Sequence, residues 1–420
     1  MKKYILSILL ISFSTAALLA QEIDTVLKNK KYFFHVQGTI VNQYKPSFSV
    51  PYSGTNSFTN QEENATSFTS TVYLGAKLNK TTFIYATPEI AAGAGLSKVL
   101  GLGDAPNGET FRVTTTEPRL YIARVYFKKI FSNQKNINNY FDLIVGKISL
   151  ADFFDNNKFS HDSRTQFLNW GLMSNGAWDY PADTKGYTPS LLVEYFNKHQ
   201  EFRLAYSLMP TLPNGSMMDW NISKSGGFSG EWVNKYNLIG NPGAIRLLVF
   251  LNRAFMGNYT RALDTAIEVT RSYHNQKFGF GINLEQQFND HLGGFFKTSW
   301  NDGKNETWAF TEIDKSLSMG VELNGRTWGN KLDKIGLAYI NAGLSKEHQN
   351  YLSKGGLGFT LGDGKLNYAA ENVFELYVLK SIIKDQLFGT LDYQTILNPG
   401  FNADRKGPLC IYSMRLHFAL

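Results

Sequence analysis

Residues 146–188 crowd together side chains able to hydrogen-bond, ion-pair and stack. Asp152, Asp155, Asp162, Asp179 and Asp183 offer acceptors, and Arg164 offers a forked donor. Trp170, Trp178 and Tyr180 offer flat rings. Glu89, Glu109, Arg112 and Arg124 add both signs of charge from segments upstream. Carboxylates set against guanidiniums orient water and hydroxyl dipoles between them. Each residue also has a plainer reading: Asp in a loop often caps its own turn.

Covalent chemistry is poorly supported. His161-Asp162-Ser163 contains the three residue types of a hydrolase relay, but neighbours in sequence cannot converge on one another as a relay requires. No GxSxG elbow or HExxH appears, and the seven histidines are dispersed. The run Asp152-Phe153-Phe154-Asp155-Asn156-Asn157 lacks the spacing and glycine of a calcium loop. The single cysteine, Cys410, excludes an internal disulfide framework and a CxxC site. The expectation is therefore no enzyme, no metal and no cofactor.

The elements that must position these residues are strands. Over the last eleven residues Tyr412, Met414, Leu416, Phe418 and Leu420 fall on one face, and Ser413, Arg415 and His417 on the other. A period of two requires an extended chain. The same alternation recurs in Thr71–Leu78, Phe202–Ser207, Ile245–Leu251, Phe278–Glu285 and Ser316–Leu323, with Leu248 and Phe250 blurring the third. Phe83 and Tyr85 alternate with Thr82 and Ile84 after a short turn at Asn79-Lys80-Thr81. The long irregular stretches Pro46–Asn64, Ala91–Glu117, Ala151–Lys185 and Asn398–Pro408 fit the loops of one end of a barrel.

The N-terminus reads as an export signal. Lys2 and Lys3 precede an apolar stretch from Ile5 to Leu19, and cleavage after Ala20 is expected. Residues 21–31 then form a short periplasmic segment before the barrel at 32–420. The composition agrees, with 14% aromatic residues, 37 glycines and a mean hydropathy of −0.24. A barrel looks polar overall because every second residue faces water. The formal charge of +7 is scattered, without the basic run that nucleic-acid binding would need. An outer-membrane barrel in contact with lipid is the leading reading, and a secreted β-sandwich the other.

Residues 43–57 (QYKPSFSVPYSGTNS), 88–97 (PEIAAGAGLS) and 104–113 (DAPNGETFRV) resemble the carbohydrate-selective porins of the OprB family. The long block 146–188, GKISLADFFDNNKFSHDSRTQFLNWGLMSNGAWDYPADTKGYT, resembles them most specifically. Residues 351–364 (YLSKGGLGFTLGDG) and 392–408 (DYQTILNPGFNADRKGP) continue the likeness into the final strand. Lys406 stands where the family would place a glycine after the arginine, so an altered turn around Arg405 is expected. The resemblance implies an all-β, transmembrane antiparallel barrel of 16 strands in a Gram-negative outer membrane, with loops folding inward. It implies passive diffusion of sugars and leaves monomer or homo-oligomer open.

For an uncharged solute with many hydroxyls and apolar C–H faces, the thirteen residues of the first paragraph are the expected pathway. Arg415 and His417 are expected in the lumen wall near the periplasmic end. Two rivals remain: a general or anion-preferring porin on the same barrel, and a surface glycan-binding β-protein that transports nothing.

Overall fold

The computed structural model describes residues 30–93, 95–109, 117–133, 136–309 and 312–420. The expected signal segment, residues 21–29 and Arg112 lie outside the described residues. Among the described residues the first strand begins at Tyr32.

Sixteen antiparallel strands close into one barrel. They are β1 (Tyr32–Lys45), β2 (Glu63–Asn79), β3 (Thr82–Ala92), β4 (Arg119–Asn133), β5 (Asn136–Ile148) and β6 (Thr188–Phe196). There follow β7 (Gln200–Ser207), β8 (Gly226–Leu238), β9 (Asn241–Arg253), β10 (Gln276–Gln287) and β11 (Leu292–Asn301). The ring is completed by β12 (Lys315–Asn324), β13 (Lys334–Gly343), β14 (Glu371–Ile383), β15 (Leu387–Leu397) and β16 (Leu409–Ala419). Each strand pairs with its neighbours in sequence, and β16 returns to β1 in a register that sets Thr39 against His417.

Alternation decides what faces lipid. Tyr412, Met414 and Leu416 are exposed on the outer surface of β16, while Ser413, Arg415 and His417 are buried inside. In a bilayer the exposed row is covered by acyl chains, so its exposure to solvent measures contact with lipid. On β3 Ile84 faces out. Phe83 and Tyr85 face in and form an aromatic cluster with Tyr73. The blur on β9 has a similar cause: Leu248 and Phe250 point inward and are covered by the segment that fills the lumen.

The two ends of the barrel differ. Strands join through short turns at 80–81, 197–199, 239–240, 288–291 and 384–386 at one end, and through a longer turn at 325–333. At the other end run the long connections 46–62, 93–118, 149–187, 208–225, 254–275, 302–314, 344–370 and 398–408. Barrels of this kind turn their long loops to the cell exterior. Four of these loops were not apparent from composition. Those at 254–275 and 344–370 contain the short helices Tyr259–Asp264 and Lys346–Ser353, and their apolar residues blend with the strand pattern.

The turn at Arg405 is not strained by Lys406. Lys406 takes an ordinary right-handed conformation (φ −38°), and the positive φ of +81° falls on Gly407. Arg405 itself donates to the carbonyls of Tyr52 (2.7 Å) and Phe58 (2.6 Å), tying the last long loop to the first.

Candidate functional site

The connection 149–187, the central segment, folds into the lumen instead of standing above it. Its apolar side chains supply the drive: Leu150, Phe153, Phe154, Trp170, Trp178 and Tyr180 are all buried in one cluster with Leu248 and Phe250 of the wall. Polar wall residues then fix its backbone. Lys297 donates to the carbonyls of Ser160 (2.7 Å) and Met173 (2.9 Å). Glu375 accepts from the N–H groups of Leu168 (2.5 Å) and Asn169 (2.9 Å). Arg415 donates to the carbonyls of Ser163 and Gln166. Buried backbone groups need such partners, since each one left unpaired costs roughly 1–3 kcal/mol.

Two glycines make the docking possible by close approach. A Cβ on Gly293 would lie 2.1 Å from the Phe159 ring, and one on Gly281 would lie 2.7 Å from the Asn175 amide. Both are inward positions of β10 and β11 where the central segment rests directly on backbone.

The central segment leans on the wall from β8 round to β16 and leaves an opening on the β2–β4 side. Thr69, Glu89, Tyr121 and Arg124 line it from the wall, and Glu109 from the connection 93–118. Asp152, Asp162, Ser163, Arg164, Lys185 and Tyr187 line it from the central segment. The free space at this neck is about 80 Å³, room for several waters at the 10–15 Å³ each requires.

A β-bulge brings the wall residues together. Thr87 pairs with Arg124, but Pro88 pairs with Ile122, so Ala123 is unmatched. Proline has no N–H to give a ladder, and in a closed barrel it is tolerated at such a bulge. The extra residue lets Tyr121 and Arg124, three apart, line the lumen together, although strict alternation would separate them.

The site is a lattice of opposed charges. Arg124 holds Asp152 by two bonds, at 2.5 and 2.7 Å. Arg164 donates to Glu109 at 3.0 Å and lies 3.8 Å from Asp162. Glu89 accepts from Thr71 (2.8 Å), Tyr187 (3.0 Å) and Tyr121. Burial pushes the Glu109 carboxyl above its ordinary range, against the pull of the Arg164 charge and the Thr69 hydroxyl. For Asp162 burial acts the same way but is outweighed, chiefly by the Arg164 charge, and its carboxyl sits below the usual range. The tyrosine rings stand 6.2 Å apart, centroid to centroid. The Arg124 guanidinium lies 5.0 Å from the Tyr187 ring centre and the Lys185 ammonium 4.0 Å from that of Tyr121.

Of the thirteen expected residues, Glu89, Glu109, Arg124, Asp152, Asp162, Arg164 and Trp170 line this opening. Trp170 does so from a buried position, with 1% of its surface exposed. Five others lie elsewhere, as ties within the folded loops. Asp155 accepts from the Asn175 N–H (2.6 Å) and the Asn283 amide (2.7 Å). Asp179 accepts from the N–H groups of Trp308 (2.8 Å) and Ala309 (2.7 Å). Asp183 caps its own turn through Lys185 N–H (2.9 Å) and Tyr187 N–H (3.1 Å). Trp178 and Tyr180 pack on each other, 4.8 Å between centroids, inside the apolar cluster. Tyr121, Tyr187 and Lys185 also line the opening and were missed, as were Thr69 and Ser163. The signal for Tyr121 was Pro88, whose presence inside a strand demands a bulge.

Among the described residues no group of three or more His, Cys, Asp or Glu is placed to hold a metal ion. The model of the family described as carbohydrate-selective porin, OprB family, matches residues 55–420. Pseudomonas putida OprB in its high-pH structure is similar in fold. It is 14% identical, with 96% of this chain and 97% of that chain covered, and a TM-score of 0.74. The outer-membrane channel DcaP of Acinetobacter baumannii is 8% identical, covering 93% and 97%, with a TM-score of 0.55. Salmonella typhi OmpF is 10% identical, covering 94% and 99%, with a TM-score of 0.53. No curated protein matches the sequence.

Proposed function

The chain belongs to the OprB family of carbohydrate-selective porins, and from that premise we propose that sugars cross at the opening between β2–β4 and the central segment. The protein is a sugar-selective porin of the Gram-negative outer membrane. In our reading Glu89, Glu109, Arg124, Asp152, Asp162 and Arg164 exchange hydrogen bonds with sugar hydroxyls, while Tyr121 and Tyr187 offer ring faces to the C–H side. Binding stays weak because each of these six charged groups is already partnered within the protein. A passing hydroxyl replaces one bond with another instead of filling a vacancy. Weak binding lets the solute leave.

The observation that carries this reading is the mixed lining itself. Four carboxylates face three cations, Arg124, Arg164 and Lys185, among the described residues of the opening. A nearly balanced field with two flat rings suits an uncharged, polyhydroxylated solute better than an anion, which would gain from a ladder of cations. The family and the fold are those of channels, and we assign no catalytic step. One chain forms the whole pathway.

Liposome swelling tests the reading directly. The panel is glucose, a disaccharide, a size-matched neutral amino acid and a sugar phosphate. Glucose should enter faster than the amino acid and the sugar phosphate. Rates ordered by size alone would sink the sugar filter, and preference for the phosphate would favour an anion pore.

A further inference from the structure

On the outer surface of β8–β10, three exposed apolar residues form a row in register: Phe228 opposite Leu251, and Leu251 opposite Phe278. This is the lipid-facing band. Two residues further toward the long-loop end, about 7 Å at 3.3–3.4 Å per residue, the same outward line carries Arg253, paired with Gly226 and Gln276. The connection 208–225 returns over the outside of the barrel here, because the outward Tyr206 hydroxyl donates to the carbonyls of Ile222 (2.7 Å) and Ser225 (3.1 Å). That path brings Lys224 beside Arg253. The connection 254–275 supplies Tyr273 and His274 from the other side. Together they enclose a cavity of about 410 Å³ on the exterior of the barrel.

Two of the three Lys and Arg side chains lining this cavity hold no carboxylate. Neither Lys224 nor Arg253 is paired with a carboxylate among the described residues. Arg271 also lines the cavity but is committed to Glu306 by two bonds of 2.9 Å. Asp219 is buried and engaged with the Asn221 N–H (2.9 Å) and with Tyr273. Beside the cavity Trp220 and Ile222 expose 72% and 64% of their surfaces. Exposed together next to the apolar band, these side chains offer a surface that lipid can cover.

We propose that Lys224, Arg253 and His274 form a binding site for the phosphorylated headgroup of an outer-leaflet glycolipid, whose acyl chains lie along Phe228, Leu251 and Phe278. Three features select this occupant. The site faces outward, away from the lumen. It sits one step above the apolar band, where headgroups begin. Its free charges are positive, with a guanidinium able to grip a phosphate by two bonds.

The test is native mass spectrometry of the detergent-purified, full-length mature protein titrated with diphosphoryl lipid A, and with the same lipid after dephosphorylation. The parent should carry a discrete lipid A adduct, and Lys224→Gln/Arg253→Gln should bind about tenfold or more weakly, as loss of two charge-assisted contacts implies. The dephosphorylated lipid should bind as poorly to the parent as to the variant. Glucose swelling by the variant should equal that of the parent, because both residues lie outside the lumen, which also shows the variant folded. Equal lipid A binding by parent and variant overturns the proposal. So does displacement of the adduct by millimolar inorganic phosphate, which would mark a site for the free anion.

Discussion

Asp152 and Asp155 lie three residues apart in the same loop, and structure separates their duties completely. Asp152 turns to the opening and meets Arg124, whereas Asp155 turns to the wall and gathers Asn175 and Asn283. Residue type was legible in the sequence, but the direction of each side chain in an irregular loop was not, because no period governs it. Arg124→Ala removes the cation facing Asp152 and leaves two cations against four carboxylates in the opening. The channel should then shift toward cation preference, read as a change of reversal potential in a KCl gradient. An unmoved reversal potential would take Arg124 out of the filter. For the rings, Tyr187→Phe should retain most of the preference for glucose over the size-matched amino acid, because the face remains. Tyr187→Ala should lose it. Equal behaviour of the two variants in swelling assays would deny the ring a role.

At the scale of elements, the strands were readable because alternation has a single physical cause, a wall with lipid on one side and water on the other. The central segment was readable as a functional block, yet its inward path rests on contacts far apart in sequence, such as Phe159 on Gly293. Gly293→Val should push the segment off β11 while leaving the ladder intact. The expected result is a larger single-channel conductance with weaker size discrimination, and a barrel that still resists unfolding in detergent. A second device locks the loops opposite the opening. His348, 3.0 Å from Asp314, joins the connections 302–314 and 344–370. Burial opposes ionisation of Asp314, but the His348 charge and hydrogen bond, Lys277 and the Ser345 N–H outweigh it and hold the carboxyl at about 2. Because the folded value lies below the ordinary 3.8, the stabilisation is complete above about pH 4 and is lost as pH falls toward 2. Pepsin should therefore cut residues 344–370 slowly at pH 4 and faster at pH 2, while Asp314→Asn should be cut quickly at both. A flat profile in the parent would remove Asp314 as the latch.

For the whole molecule, the ring of strands has no beginning until its end is in place. Thr39 and His417 touch across the seam, at 2.9 Å, although 378 positions separate them in the chain. Every earlier pairing joins neighbours, but this one waits for the last strand to be made. A nascent chain lacking β16 would present two raw edges with unmet N–H and C=O groups, each a template for sticking to another chain. The polypeptide must therefore be kept from folding while it crosses one membrane and the compartment beyond, and then seal in a single act. Removing Leu409–Ala419 should yield no narrower pore, only a protein that cannot finish.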